Sequence, residues 1–186
     1  MKINLQPTHL QNDFIKLVPL KDNDFEKLFA VANDPLIWEQ HPTKNRYEKE
    51  VFQNYFDGAV KSNSAFIIFD SKNSEIIGSS RFYGFDADKK TITIGYTFLA
   101  KSHWGTTYNR ALKTLMLNYA FTFVEEVIFH IGANNVRSQK AIGKLGAIKI
   151  SEESIAYYGE QENNNFIYKI TNKMWQQFLN SAIESK

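Results

Sequence analysis

A polar segment between a predicted strand and a predicted helix is the part of this sequence best suited to bind phosphate. It runs from Ser102 to Asn109 and contains Gly105, which lets a ligand approach the backbone closely. The first N–H groups of a helix have no partner within the helix and lie at the positive end of its dipole. Arg110 and Lys113 add positive charge just downstream. The segment therefore indicates either a phosphate site or a plain strand-to-helix connection.

A second group of reactive side chains lies in a loop nearer the N-terminus. It contains Trp38, Glu39 and His41. The imidazole of a histidine ordinarily titrates close to neutral pH, so His41 could exchange a proton with a substrate, and Glu39 is a further candidate base. The alternative is that His41 is an ordinary loop histidine.

Metal and sulfur chemistry are not expected. The chain has no cysteine, which excludes disulfides, thiol nucleophiles and thiolate metal sites. His9, His103 and His130 lack the spacing to each other or to carboxylates that is typical of a metal site. We therefore predict no metal.

The hydrophobic pattern predicts an α+β domain that positions these residues. Segments rich in β-branched and aromatic residues predict strands. They are 14–20, 65–70, 75–85, 91–99, 127–131, 148–156 and 164–170. Apolar stripes at helical spacing predict helices. They are 22–32, 47–61, 108–123, 138–145 and a closing helix from 172. A loop is expected at 33–46, and Gly146 is expected to end the fourth helix in a left-handed conformation.

Composition is that of an ordinary globular domain. Of the 186 residues, 43% are hydrophobic and 23% charged, which argues against disorder and coiled coils. The net charge of +2 is too small to indicate a nucleic-acid or membrane partner. No stretch approaches the roughly 20 apolar residues that span a bilayer, and residues 1–13 do not resemble a signal peptide. We expect one cytoplasmic domain over residues 1–186. The sequence does not decide between a monomer and a homodimer.

Two motifs then give the sequence a family resemblance. The run from Ile94 to Phe98, followed by the run from Trp104 to Asn109, resembles the acetyl-CoA motif of the GNAT superfamily in its RimJ/RimL-like branch. The run from Asn135 to Gly146 is similar to the N-x-R-S-x-x-A-I-x-x-L-G pattern of that branch. The resemblance implies a GNAT fold, with a mixed, mostly antiparallel, splayed sheet of six to seven strands and four to five flanking helices.

The resemblance also implies an activity and a set of site residues. The activity is acetyl transfer from acetyl-CoA to a primary amine, either a protein N-terminus or a small molecule, by direct attack on the thioester in a ternary complex. Ser138 would act as the acid that protonates the departing thiolate. The residues implied to bind acetyl-CoA are Phe98, Leu99, Trp104, Gly105, Thr106, Thr107, Tyr108, Asn109, Arg110, Asn135 and Ser138. Those implied to bind the acceptor are Trp38, Glu39, His41, Arg81 and Tyr83, although Arg81 could instead form a structural ion pair.

Three positions depart from the family pattern. The family's turn has a glycine where this chain has Thr107, and a β-branched residue tolerates positive φ poorly, so weaker CoA binding is expected. Thr93 occupies the position of a glutamate that can serve as the base, and Ile142 that of a tyrosine acid. The alternative function is a catalytically degenerate member of the family that binds acyl-CoA as a sensor or interaction module.

Overall fold

The computed structural model describes residues 3–184, and residues 1, 2, 185 and 186 lie outside the described residues. The described chain forms one seven-stranded sheet with six α-helices. The strands are β1 (Ile15–Pro19), β2 (Ala65–Asp70), β3 (Ile76–Asp86), β4 (Thr91–Leu99), β5 (Glu126–Gly132), β6 (Ile148–Ile155) and β7 (Asn163–Thr171). The helices are α1 (Phe25–Ala32), α2 (Pro35–Trp38), α3 (Lys49–Lys61), α4 (Tyr108–Ala120), α5 (Val136–Gly143) and α6 (Asn172–Glu184).

The strand order is β1-β2-β3-β4-β5-β7-β6, and every neighbouring pair is antiparallel except β4 and β5. The mixed, mostly antiparallel sheet expected from the sequence is therefore confirmed. Gly146, at the end of the turn that follows α5, adopts a φ of +87°, the left-handed conformation predicted for it. Within residues 3–184 no helix has the length and apolar character required to cross a bilayer.

Strand β2 is buried on both faces of the sheet, which explains why it is almost continuously apolar, whereas the edge strand β6 is largely exposed. One core lies between the sheet and the α4 side, and it includes Leu112, Met116 and Trp175. The second core lies on the α1 and α3 side, where Phe52 and Phe98 pack among other rings. The two cores hold the sheet between two layers of helices, so the edges and ends of the strands are the places left for a site.

Helix α2 differs from the sequence prediction, which placed residues 33–46 in a loop. The Asp34 carboxylate accepts a hydrogen bond from the Leu36 N–H at 2.9 Å, and Pro35 occupies the first helical position. An Asp cap followed by proline favours the start of a helix, but the same pair also begins turns. The sequence alone therefore does not distinguish a helix from a loop here. The single turn is anchored by the buried side chains of Ile37 and Trp38.

A bulge in β4 shapes the centre of the sheet. Arg81 of β3 pairs with Gly95 of β4, whereas Ser79 pairs with Phe98, so β4 carries one extra residue between these pairs. Tyr96 lies in the bulge and adopts a φ of +51°. A bulky residue in the left-handed region is strained, and bulges bend the strand that contains them. The bend directs β4 away from β5.

Candidate active site

Strands β4 and β5 separate to form a cleft in the middle of the sheet. They pair only from Thr91 to Thr93 on β4, with Glu126 to Ile128 on β5. Beyond Thr93 the β4 edge that faces β5 has no strand partner. A cavity occupies the gap and extends towards α2. An unpaired strand edge inside a domain can bind an extended ligand through main-chain hydrogen bonds.

Ten of the residues predicted from the sequence line this one cavity. They are Trp38, His41, Tyr83, Phe98, Leu99, Trp104, Gly105, Asn109, Asn135 and Ser138. The structure thus brings together residues of both predicted motifs, although they are separated along the chain by β5.

The turn before α4 presents backbone donors at one end of the cleft. Gly105 adopts a φ of +71°, and a side chain at this position would have no atom within 4 Å of its Cβ. The N–H groups of Gly105, Thr106 and Thr107 donate to no described residue. Free N–H groups that precede a helix N-terminus form an anion site, so the turn fits a phosphate.

The positive φ expected at Thr107 from the family pattern is wrong. Thr107 has a φ of −73°, which is ordinary helical backbone and causes no strain for a β-branched residue. The positive φ of this turn falls on Gly105 instead. Thr107 therefore needs no glycine for conformational reasons, and its exposed side chain leaves the backbone N–H groups open.

Four of the residues predicted to bind acetyl-CoA do not line the cavity. Thr106 and Thr107 are exposed in the turn. The Tyr108 hydroxyl donates to Asp70 at 2.7 Å, which anchors the turn to β2. The hydrogen bond from the Lys72 N–H, together with that from Tyr108, holds the pKa of Asp70 below its usual range. Arg110 is exposed, with its guanidinium 5.3 Å from the Phe178 ring centroid. Only the backbone and the charges of this group can serve a ligand at the turn.

Helix α5 begins at the opposite wall of the cleft with a side-chain cap. The Asn135 carboxamide oxygen accepts the Ser138 N–H at 3.0 Å, and the Asn135 N–H donates to Gly132 O at 2.8 Å. This cap fixes both side chains at the cavity wall, because it ties the first turn of α5 to the end of β5. The Ser138 hydroxyl has no hydrogen bond to a described residue and remains free for a ligand.

Trp104 and Arg137 connect the two walls. The Trp104 indole N–H donates to Leu99 O at 2.8 Å, which holds the ring at the end of β4. The Arg137 guanidinium lies 3.8 Å from the centroid of this ring and donates to Ile37 O at 3.1 Å. The contact joins β4, α5 and α2 at the cavity wall. Arg137 lies within a predicted motif, but its residue type and spacing did not predict a role different from that of its neighbours.

Two acceptor residues predicted near α2, the buried Trp38 and the half-buried His41, are held by polar contacts. The Trp38 indole N–H donates to Ala32 O at 2.7 Å. His41 Nδ1 accepts from the Thr43 N–H at 3.0 Å, and its Nε2 lies 3.1 Å from an Arg46 nitrogen. Burial, together with the Arg46 charge, holds the pKa of His41 well below its ordinary value. His41 is therefore neutral near pH 7, and the near-neutral titration expected from the sequence does not apply to it.

Two predicted acceptor residues lie away from the cavity wall. Glu39 is exposed, and its charge acts on Arg137. Arg81 is buried behind β4, where its guanidinium stacks 3.5 Å from the Tyr96 ring centroid and donates to Gly58 O at 2.9 Å. The alternative of an ion pair for Arg81 is wrong, because its partners among the described residues are a carbonyl group and aromatic rings. A role of Arg81 in acceptor binding stays a prediction.

Three further residues line the cavity: Lys113, for which the sequence predicted only positive charge near the turn, and His130 and Tyr157, which were assigned no site role. The Lys113 amine is buried and donates to Thr97 Oγ1 at 2.7 Å, and burial lowers its pKa to about 7. His130 lies on β5 just beyond the pairing with β4, and its buried Nδ1 has no hydrogen-bond partner in the described chain. Burial lowers the pKa of His130, an effect that Glu153 partly opposes. Tyr157 reaches the same cavity from the segment after β6.

Comparisons with known proteins agree with this geometry. A family model for the acetyltransferase (GNAT) domain matches residues 15–148, which is well over half of the chain. The chain belongs to the GNAT acetyltransferase family. The prediction of an N-acyltransferase enzyme is thereby confirmed. No curated protein sequence matches the chain.

Solved structures show the same fold at low sequence identity. A GCN5-related N-acetyltransferase from Brucella melitensis is 15% identical, with a TM-score of 0.78 over 90% of this chain and 80% of the other. A spermidine N-acetyltransferase from Vibrio cholerae, in complex with CoA and spermine, is 14% identical, with a TM-score of 0.67 over 89% and 99%. RimJ from Mycobacterium smegmatis, in complex with CoA-disulfide, is 14% identical, with a TM-score of 0.67 over 90% and 89%. The GNAT fold predicted from the sequence is confirmed.

Proposed function

We propose that this GNAT enzyme is a single-domain N-acetyltransferase that moves an acetyl group from acetyl-CoA to a primary amine. The observation that supports this most strongly is the unpaired β4 edge in the cleft, which ends at a turn with three free N–H groups. The edge suits an extended pantetheine arm, and the turn suits the pyrophosphate. The solved relatives that contain CoA are consistent with the same donor.

We place the enzyme in the RimJ/RimL-like branch. The run from Asn135 to Gly146 supports this assignment, since its first asparagine caps α5 and its serine faces the cavity. The likeness to RimJ is one of fold, because the two chains share 14% of their residues. The branch leaves the acceptor open between a protein N-terminus and a small amine.

The proton transfers are assigned to two residues on the β5 and α5 side of the cleft. Ser138 on α5 has a free hydroxyl in the cavity, and it would give a proton to the CoA thiolate as the carbon–sulfur bond breaks. His130 on β5 would take a proton from the attacking amine, because its imidazole is neutral near pH 7 and buried beside the cleft. Most of the rate enhancement would come from holding amine and thioester together, with a smaller share from these transfers.

The test has two steps. Acetyl-CoA is titrated into the protein by calorimetry, and a panel of primary amines is then assayed for release of free CoA thiol. Binding followed by thiol release with at least one amine is the expected result. Absence of binding at millimolar acetyl-CoA would overturn the proposal. Tight binding without turnover across the panel would favour the sensor.

A further inference from the structure

Four aromatic rings surround the end of the cavity that lies away from the turn. Tyr83, Tyr96, Tyr157 and His130 come from β3, β4, the segment after β6, and β5 respectively. Ring centroids are 5.2 Å apart for Tyr83 and Tyr96, 5.5 Å for Tyr96 and Tyr157, and 5.8 Å for Tyr83 and His130. All four residues line the cavity. We call this group the aromatic wall.

The polar groups of the aromatic wall are uncharged. Burial raises the pKa of Tyr83 and Tyr157 above the ordinary tyrosine value, so both hydroxyls keep their protons. The Tyr157 hydroxyl donates to the Asn165 carboxamide oxygen at 3.3 Å. His130 contributes a buried nitrogen without a partner. A buried polar atom without a partner is costly, so this nitrogen points to a polar group of a ligand.

No aspartate or glutamate is among the described residues that line the cavity. Glu160 comes near, but its carboxylate accepts hydrogen bonds from Thr43 at 2.8 Å and from Arg46 Nε at 3.1 Å. Both partners of that ion pair are almost fully buried, with side-chain exposures of 1% for Arg46 and 8% for Glu160. Glu160 is therefore already neutralised, and Glu153, whose charge acts on His130, lies outside the cavity lining on β6.

Cations, by contrast, lie close behind the wall. Arg81 stacks on Tyr96 at 3.5 Å and already occupies a face of that ring. The Lys113 amine lies below the cleft beside Thr97 and, with a pKa of about 7, carries its charge in about half of the molecules at pH 7. A positively charged group that entered this space would be desolvated beside the Arg81 charge and would find no carboxylate to pair with among the described lining residues, which is costly in a buried site.

We propose that the acceptor end is a subsite for primary monoamines with an apolar or aromatic body, and that it discriminates against polyamines. The amine nitrogen would meet His130, and the body would pack on the tyrosine rings. A monoamine must lose its charge before it attacks, so no cation stays in the subsite. A diamine or polyamine would keep at least one positive charge there. The inference depends on the proposed acetyltransferase activity, whose acceptor it specifies.

The decisive experiment compares two amines of the same chain length. Rates of CoA thiol release are measured with hexylamine and with hexamethylenediamine at saturating acetyl-CoA. We expect kcat/KM to be at least about 10-fold higher for hexylamine, which corresponds to about 1.4 kcal/mol. Equal rates, or a preference for the diamine or for spermidine, would overturn the inference. Acetyl-CoA binding without turnover of either amine would also overturn it, whereas absence of acetyl-CoA binding would remove the proposed function itself.

A pair of matched variants locates the selectivity. Asn165→Asp places a carboxylate in the cavity wall at a buried position. Asn163→Asp makes the same change two residues earlier on β7, outside the cavity lining. We expect Asn165→Asp to lower the hexylamine preference several-fold and Asn163→Asp to leave it unchanged. An equal change of the hexylamine preference in both variants would show that the preference does not arise from the charge of the cavity wall. If Asn165→Asp fails to fold, the wild-type ratio alone decides the inference.

Discussion

The guanidinium of Arg137 lies 3.8 Å from the centroid of the Trp104 indole, and this contact joins the two walls of the cleft. Trp104 is tied to the end of β4 through Leu99 O, whereas Arg137 belongs to α5. A flat guanidinium can stack on a ring and still donate to Ile37 O, as Arg137 does, and a lysine cannot do both. The pair therefore sets the distance between the walls before a ligand arrives.

The first prediction concerns this contact. Arg137→Lys should weaken acetyl-CoA binding, because the walls lose a cation–π contact worth about 0.5–2 kcal/mol. This corresponds to an increase in Kd of roughly 2- to 30-fold by calorimetry. Lys140→Met, on an exposed position of the same helix, removes a charge without touching the contact and is the control. Tighter binding by Arg137→Lys would mean that the stacked pair obstructs the ligand.

The second prediction concerns the turn before α4. Gly105→Ala should raise the Kd for acetyl-CoA about 5-fold or more, because a φ of +71° costs an L-residue roughly 1–2 kcal/mol. No neighbouring atom would contact the new Cβ, so the cost is conformational and not steric. Thr107→Gly should not tighten binding, since Thr107 already has helical backbone. A clear gain in affinity from Thr107→Gly, measured in the same titration, would contradict the turn geometry.

Several strands could be predicted from the sequence because each carries its own signal. β2 and β4 have the predicted bounds, since β-branched and aromatic runs need no distant partner to be recognised. The bulge at Tyr96 carries no such signal, because nothing in the residue type predicts a φ of +51°. The cleft depends on that bulge, so its shape was accessible only through the family resemblance.

The candidate site was predictable to different degrees. Lys113 shares the apolar helical face of Met116, Leu117 and Ala120, at spacings of three, four and seven residues, so periodicity could have identified it as buried. Arg46 could not have been found in this way. Its partner Glu160 lies 114 residues further along the chain, and only the folded structure brings the two loops together.

The third prediction tests Ser138 as the acid. Ser138→Ala should lower kcat at least about 10-fold, because the CoA thiolate would leave without a proton donor. The Kd for acetyl-CoA should change by less than about 3-fold, since the Asn135 cap uses the backbone N–H of residue 138 and not its hydroxyl. Single-turnover rates and calorimetry separate the two effects. Ser151→Ala on β6 is the control, and an unchanged kcat in Ser138→Ala would remove the assignment.

The fourth prediction is a pH dependence that arises from His130. Burial lowers its pKa below 6.5, while Glu153 opposes this and the neighbouring tyrosines Tyr83 and Tyr157 stay neutral. Only the neutral imidazole can accept a proton, so kcat/KM should show an acidic limb whose midpoint lies below pH 6.5, distinct from the further rise at higher pH as the amine substrate loses its own proton. His130→Gln should lower kcat/KM by about 10²-fold or more and abolish this acidic limb. The exposed His9→Gln is the control, and a retained acidic limb in His130→Gln would assign it to another group.

The fifth prediction concerns the stability cost of Lys113. Its amine is buried without a carboxylate partner among the described residues, and its pKa is about 7 in the fold. The unfolded chain holds this proton up to a pKa near 10.4. Between these values the unfolded state binds more protons than the folded state, so the contribution to stability increases as pH rises from about 7 to 10.

Lys113→Met should remove this dependence, because it keeps an unbranched chain of similar length without the charge. A pKa lowered by one unit corresponds to about 1.4 kcal/mol, so the free energy of unfolding of the variant should exceed that of the wild type by on the order of a few kcal/mol near pH 7. Loss of the hydrogen bond to Thr97 reduces this gain. Urea unfolding at pH 7 and pH 9 measures both free energies. Lys173→Met, which removes a lysine from α6, is the control. A variant less stable than the wild type at pH 7 would show that the amine stabilises the fold through Thr97 by more than its burial costs.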